Sequence, residues 1–263
     1  MKVPFYKYHG TGNDFILINR TDWDYPISEK QIQTMCDRHF GIGSDGLIFI
    51  EKDPKGEVDF VMNFYNPDGS QSFCGNGSRC AVHFAHHLGL ISDKCTFKAI
   101  DGIHSAEVNG NQVKVGMRDL KECTKISDTK YFLHTGSPHY IEYFDEIAEI
   151  DLMKWGSEIR YSKAYAPSGT NVNAAHYLGN GKVAMRTYER GVEAETLSCG
   201  TGVTAVALSV ALQHPQITSV DVVTPGGELE VLFEKNSQQE FRNIVLSGPA
   251  QMVFEGTFNL SNE

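Results

Sequence analysis

Residues 203–212, VTAVALSVAL, constrain the fold of this chain more than any other stretch. Read as a helix, the segment is apolar almost all the way round, and Pro215 closes it. A helix without a polar face cannot lie on a protein surface and must be enclosed. The surrounding segments FILIN, GLIFIE, VDFVMNFY and DVVTPGGELEVLFEK carry alternating or short apolar runs broken by Gly, Asn, Asp and Pro, the pattern of strands. VNGNQVKV reads as a hairpin with its turn at Asn-Gly. Strands wrapped around a central helix satisfy both signals.

The arrangement occurs twice. CGTG at 199–202 opens the apolar helix, and CGNG at 74–77 opens another, with Ala81, Phe84, Ala85 and Leu88 at helical spacing and Gly89 at its stop. Cys74 and Cys199 are 125 residues apart, and a glycine turn follows each by 28 residues, at Gly102 and Gly227. Upstream, YHGTGNDFILI resembles LHTGSPHYIEY; Gly12 precedes Cys74 by 62 residues and Gly136 precedes Cys199 by 63. Three landmarks in register predict two similar halves joined around 118–125, hence domains over 1–118 and 119–251.

Composition narrows the function. With 23 Lys and Arg against 33 Asp and Glu, the net charge is −10, which argues against a general nucleic-acid binder. No apolar run approaches the roughly 20 residues of a membrane span, and the N-terminus lacks the apolar core of a signal peptide. A cytoplasmic setting follows as the expectation, in which the six cysteines stay reduced.

A cysteine at a helix start is chemically special. The first N–H groups of a helix lack intrahelical partners, and the helix dipole places partial positive charge there. Both favour an anion, whether thiolate or substrate carboxylate. Such positions bring a thiol from about 8.5 into the range of about 3.5–7.5, useful for a base near neutral pH. Cys74 and Cys199 are therefore read as a working pair, whereas Cys36, Cys80, Cys95 and Cys123 are read as structural. GIGSDG at 41–46 has the spacing of a dinucleotide loop but no helix opening within it, so it is read as a tight turn. HFAHH places His83 and His87 one turn apart but lacks the glutamate of a zinc-protease helix, and no residue is read as a metal ligand. Asp68 and Ser70 suit turn chemistry, whereas Glu189-Arg190 is not a turn pair, and arginine suits a two-pronged grip on a carboxylate. A thiol redox protein is the rival of different class, but C-x-x-C is absent. A binding module without catalysis is another rival, and both thiols with Glu189-Arg190 speak against it.

The ordered set GTGNDF, GIGSDG, NPDGS, CGNGSRC, GSPH, GTNVN, YERGVEAET and CGTG, with SGPAQMVFEG near the end, resembles the diaminopimelate epimerase family over most of the chain. The resemblance implies an α+β fold of two similar domains, each a mostly antiparallel β-barrel wrapped around a central helix, with the active site in the cleft between them and a strand at about 252–263 returning to the first domain. It implies a cofactor-independent epimerase of lysine biosynthesis, usually a homodimer, that interconverts LL- and meso-diaminopimelate by moving the α-proton between two thiols. Cys74 and Cys199 would be base and acid, with His139 and Glu189 beside them. Asn13, Asn66, Asn171 and Arg190 would hold the amino and carboxylate groups, and Gly75-Asn76 and Gly200-Thr201 would offer N–H groups from the two helix starts. A related racemase of proline or hydroxyproline is the nearest rival, and YERG with GTNVN favours diaminopimelate. The chain departs from the family at Ser137, where many members have Asn, and at Gly46, where some have Gln; Glu189 precedes Cys199 by one residue more than in some relatives.

Overall fold

The structure, a computed structural model, describes residues 1–22, 26–236 and 240–260. Its contacts divide the chain into two units, Met1–Val115 with Pro249–Glu263, and Gly116–Gly248. The crossing falls at 115/116, a few residues before the sequence-based boundary at 118/119.

The first unit opens with β1 (Lys2–Gly10), β2 (Asn13–Asn19), helix α1 (Glu29–Cys36), β3 (Gly46–Glu51) and β4 (Phe60–Tyr65). Helix α2 (Gly75–His87) follows, then β5 (Lys94–Ala99), β6 (Gly102–Asn109) and β7 (Gln112–Gly116). The second unit holds β8 (Cys123–Lys125), β9 (Lys130–His134), β10 (Pro138–Tyr143), α3 (Leu152–Arg160), β11 (Asn171–Gly179), β12 (Lys182–Glu189), β13 (Ala194–Thr196), α4 (Gly200–Gln213), β14 (Ser219–Thr224), β15 (Gly227–Lys235) and β16 (Phe241–Pro249). Strand β17 (Gln251–Asn259) then pairs antiparallel with β1, from Lys2 opposite Asn259 to His9 opposite Gln251. Of the strand expected at 252–263, residues 261–263 lie outside the described residues.

The two units repeat one pattern of strand senses. In the first, β1–β2 is antiparallel, β2–β3 parallel, β3–β4 antiparallel, β4–β5 parallel, and β5–β6 and β6–β7 antiparallel. In the second, β9–β10, β10–β11, β11–β12, β12–β14, β14–β15 and their neighbour β16 run through the same senses in the same order. Parallel neighbours need a crossover, and each one is made by the matching helix: α1 and α3, then α2 and α4. The backbone keeps the correspondence: Gly102 and Gly227, each opening a strand after its turn, have φ of 137° and 139°, open to glycine and strained for other residues.

Each central helix is buried as its composition demands. In α4 every residue from Gly200 to Ala211 is buried, among Leu133, Ile141, Met185, Val222 and Leu246. In α2 the buried run is Gly75 to Val82 with Phe84 and Ala85, packed among Phe15, Ile48, Phe60 and Phe97. Gly89 (φ 69°) ends α2 by letting the Leu90 N–H reach back to the Ala85 carbonyl at 3.0 Å. At the end of α4 the His214 N–H closes on Val210 at 2.9 Å, and Pro215 follows. GIGSDG caps α1: the Gly41 N–H bonds Asp37, those of Ile42 and Gly43 share the Met35 carbonyl, and that of Ser44 bonds Cys36. Among the described residues no helix is long and apolar enough to cross a membrane.

Candidate active site

Cys74 is the N-cap of α2, with φ −131° and ψ 111°, and Cys199 is the N-cap of α4, with φ −123° and ψ 110°. The near-identity is local physics. Both must hold extended backbone while their carbonyls accept the first helical bond, from Ser78 and Val203, each at 2.8 Å.

In the first unit the Gly77 N–H donates to Cys74 Sγ at 3.4 Å. Asn13, at the start of β2, presents its Oδ1 to Cys74 Sγ at 3.8 Å and to Asn76 Nδ2 at 3.3 Å. The orientation of this amide is forced, because its Nδ2 donates to the Asp45 carboxylate at 2.8 Å, a group that only accepts. Behind Asp45 stands a charged brace: Arg38 Nη2 bonds Asp45 at 2.7 Å and Asp14 at 2.8 Å, and Lys7 pairs with Asp14 from the other side. Burial pushes the Asp14 carboxyl upward, yet its bonds to Arg38 and Lys7 hold it down at about 2. Below the loop that carries Asn13, Arg79 of α2 is wholly buried, donates to Thr11 Oγ1 at 3.3 Å and to the Pro249 carbonyl at 3.4 Å, and is lowered by burial to about 10. Thr11 adopts φ 52°, an uncommon conformation for a β-branched residue, and Arg79 helps to hold it there. Asn66 organises the NPDGS turn, donating to Ser70 Oγ at 3.0 Å and accepting from Ser72 Oγ at 3.3 Å, while Asp68 Oδ1 takes the Ser70 N–H and hydroxyl.

In the second unit Cys199 Sγ lies 3.5 Å from Thr201 Oγ1, and His139 Nε2 lies 2.9 Å from the same hydroxyl. His139 thus meets the thiol through Thr201. It is fully buried, and burial first, then His134 and Arg190, lower its pKa to about 3, so the ring is neutral. Asn171 ties three segments together: its Nδ2 donates to Ser137 Oγ at 2.8 Å and the Pro138 carbonyl at 2.9 Å, and its Oδ1 accepts the Arg190 N–H at 2.9 Å. These bonds link the end of β12 to the start of β10, so Asn171 sets where Glu189 and Arg190 stand. Glu189 Oε2 accepts from Thr196 Oγ1 at 2.8 Å. The Arg190 guanidinium is half-buried and has no ion-pair partner among the described residues. A half-buried cation with its donors unclaimed suits a carboxylate brought by another molecule.

The remaining thiols are chemically quiet. Burial raises Cys36, raises Cys95 to about 12 and Cys123 to about 11, and drives Cys80 higher still. Only the thiolate is a useful nucleophile or base, so these four are silent near neutral pH.

The diaminopimelate epimerase family model matches residues 5–121 and 131–253. The chain belongs to this family. It is 46% identical over 259 residues to the diaminopimelate epimerase of Flavobacterium psychrophilum, covering 97% of this chain and 100% of that one. It is 36% identical to the diaminopimelate epimerase of Aquifex aeolicus, covering 97% of each. Among solved structures, a phenazine biosynthesis protein of the PhzF family from Bacillus anthracis superposes with a TM-score of 0.77 at 13% identity, over 99% of this chain and 100% of that one. A hydroxyproline epimerase from Agrobacterium vitis superposes with a TM-score of 0.69 at 13% identity, over 97% and 92%. These two likenesses establish the diaminopimelate epimerase-like fold.

Both departures from the family pattern have local structural counterparts. Ser137 accepts the Asn171 amide. At Gly46 a Cβ would sit 2.3 Å from the Phe64 ring, so Phe64 fills the place a side chain would take. Three further site residues went unread in the sequence: Asp45, which turns the Asn13 amide, Asn173, which meets His139, and Thr187, which donates to Asn173. Asn173 had a usable signal, since it follows Asn171 by two in a buried strand and therefore shares its face.

Proposed function

We propose that this chain is a diaminopimelate epimerase of lysine biosynthesis, interconverting the LL and meso isomers with its own side chains. The observation that carries the proposal is the pair of cysteines, one in each unit, capping the two buried helices with matched backbone geometry.

In the proposed step one thiolate takes the proton from the α-carbon, forming an S–H bond as the C–H bond breaks. The electron pair left on carbon delocalises into the adjacent carboxylate. The other cysteine then gives its thiol proton to the opposite face, inverting the centre and leaving itself as thiolate. The reverse direction exchanges the roles. Charge that develops on the carboxylate is met by first-turn N–H groups, at Gly75 and Asn76 or at Gly200 and Thr201, which the helix cannot use itself. In acyl transfer one preorganised donor of this kind is worth about 2.7–4 kcal/mol. Arg190 offers its unclaimed guanidinium to a substrate carboxylate, with Glu189 beside it for the amino group. Asn13 stands against the Cys74 thiol, and Asn66 is the family-matched contact on the NPDGS turn. Asn171 is the family-matched contact in the second unit and also holds the Glu189-Arg190 segment. The same reading takes the enzyme as a cytoplasmic homodimer, which sedimentation in solution tests.

The deciding experiment is run in D2O from each isomer separately. Deuterium enters the α-position as the isomers interconvert, and Cys74→Ala or Cys199→Ala abolishes the interconversion. A single-cysteine variant that still epimerises at the native rate ends the two-thiol account.

A further inference from the structure

We infer that Asn173 is a positioning residue that fixes the tautomer of His139 and thereby turns the Thr201 hydroxyl proton onto Cys199. The inference deepens the proposed reading of Cys199 as base and acid, and rests on it for its catalytic meaning.

The chain of bonds leaves one arrangement. Asn173 Nδ2 is 2.8 Å from the Tyr140 carbonyl, which only accepts, so the amide must face it with its N–H. Its Oδ1 then receives the Thr187 hydroxyl at 3.0 Å. The second Nδ2 proton points to His139 Nδ1 at 3.3 Å, so that nitrogen carries the lone pair. In a neutral imidazole the proton is then on Nε2, which donates to Thr201 Oγ1 at 2.9 Å. The Thr201 hydroxyl, already accepting, has its own proton available for Cys199 Sγ at 3.5 Å. The opposite tautomer would draw the hydroxyl proton to Nε2 and leave the sulfur facing oxygen lone pairs.

Burial makes the relay stiff. His139 and Asn173 are fully buried, Thr187 is 3% exposed, and Thr201 and Cys199 are each 7% exposed. Strand register builds it: Asn173 lies opposite Thr187 in the β11–β12 pair, and β10 beside β11 carries His139. Gly202 leaves the space, since a Cβ there would approach Asn173 Oδ1 to 2.9 Å and His139 Cε1 to 3.2 Å. The charges around it are His134 and Arg190, which bear on His139, and Glu189 at the end of β12. A hydroxyl donating to Sγ favours the thiolate, so Asn173 acts on the thiol through two intermediaries.

The test reads protons rather than turnover. In enzyme labelled with 15N-histidine, the ring shifts of His139, assigned by their loss in His139→Gln, report the tautomer. The expected result is a proton on Nε2 in the native enzyme and on Nδ1 in Asn173→Asp, whose carboxylate accepts where the amide donated. The Cys199 titration, read as thiolate absorbance lost in Cys199→Ser, moves up by about one unit in Thr201→Val, the loss of one hydrogen bond to a charged group, and returns in Thr201→Ser. A native proton on Nδ1 overturns the inference whether or not Asn173→Asp folds, as does an unmoved Cys199 titration in Thr201→Val. Neither readout needs activity, so a failure here is separate from a failure of the epimerase assignment.

Discussion

Acid should weaken the second unit through one residue. His139 has an ordinary value of 6.5 when unfolded and about 3 when buried in place. The unfolded chain therefore takes up a proton that the native state refuses. Stability is full above about pH 6.5 and falls as pH drops toward 3, the sign expected for a depressed folded-state pKa. At pH 5, 1.5 units below the unfolded value, the loss from this site is about 2 kcal/mol. Urea unfolding measures it. In a Trp23→Phe background Trp155 remains as the fluorophore of the second unit, edge-on to Phe144 at 5.4 Å. With a urea dependence of about 2 kcal/mol per molar, the midpoint should fall by about 1 M between pH 7 and pH 5. His139→Gln keeps a side-chain N–H toward Thr201 but cannot titrate, so its midpoint should lose about 1 M less over the same interval. Equal pH dependence in the two proteins would falsify the claim that His139 is neutral in the folded state.

Two further outcomes follow from the geometry. Gly46→Ala presses a methyl group into the Phe64 ring and should cost about 1–3 kcal/mol, seen as a lower melting temperature that Phe64→Leu partly restores; an unchanged melting temperature refutes the packing argument. Arg190→Lys keeps the charge but loses the fork, so the KM for diaminopimelate should rise about tenfold with melting temperature unchanged, and an unaltered KM removes Arg190 from carboxylate binding.

Much of the fold was legible because it rests on local rules repeated in register. The apolar circumference of 203–212 required enclosure, and α4 is enclosed. The glycines at 102 and 227, paired by spacing alone, share their dihedral within a few degrees. The two helix-start thiols were legible for the same reason, since a cysteine before Gly-x-Gly and an apolar run is a short-range signal. What lay hidden depends on long-range pairing. Nothing near Asn13 in the chain announces Asp45, 32 residues on, as the group that turns its amide. His139 was expected beside a thiol, and the Thr201 hydroxyl between them depends on how β10 and α4 pack. Asn171 was read as a substrate ligand from the family pattern, and its bonds to Ser137, Pro138 and Arg190 are a fact only the strand register supplies.

The pairing of β1 with β17 sets an order of events during synthesis. On the ribosome, β1 leaves the tunnel early with β2 for one neighbour, and its other edge has no mate until the whole stretch 116–248 has been made. The second unit is one uninterrupted piece of chain, whereas the first shows an open hydrogen-bonding edge until β17 arrives, the kind of surface on which nascent chains associate wrongly. A stop codon just before residue 249 would thus release a complete second unit joined to a first one without its closing strand, and the first helix-start thiol would belong to the incomplete half.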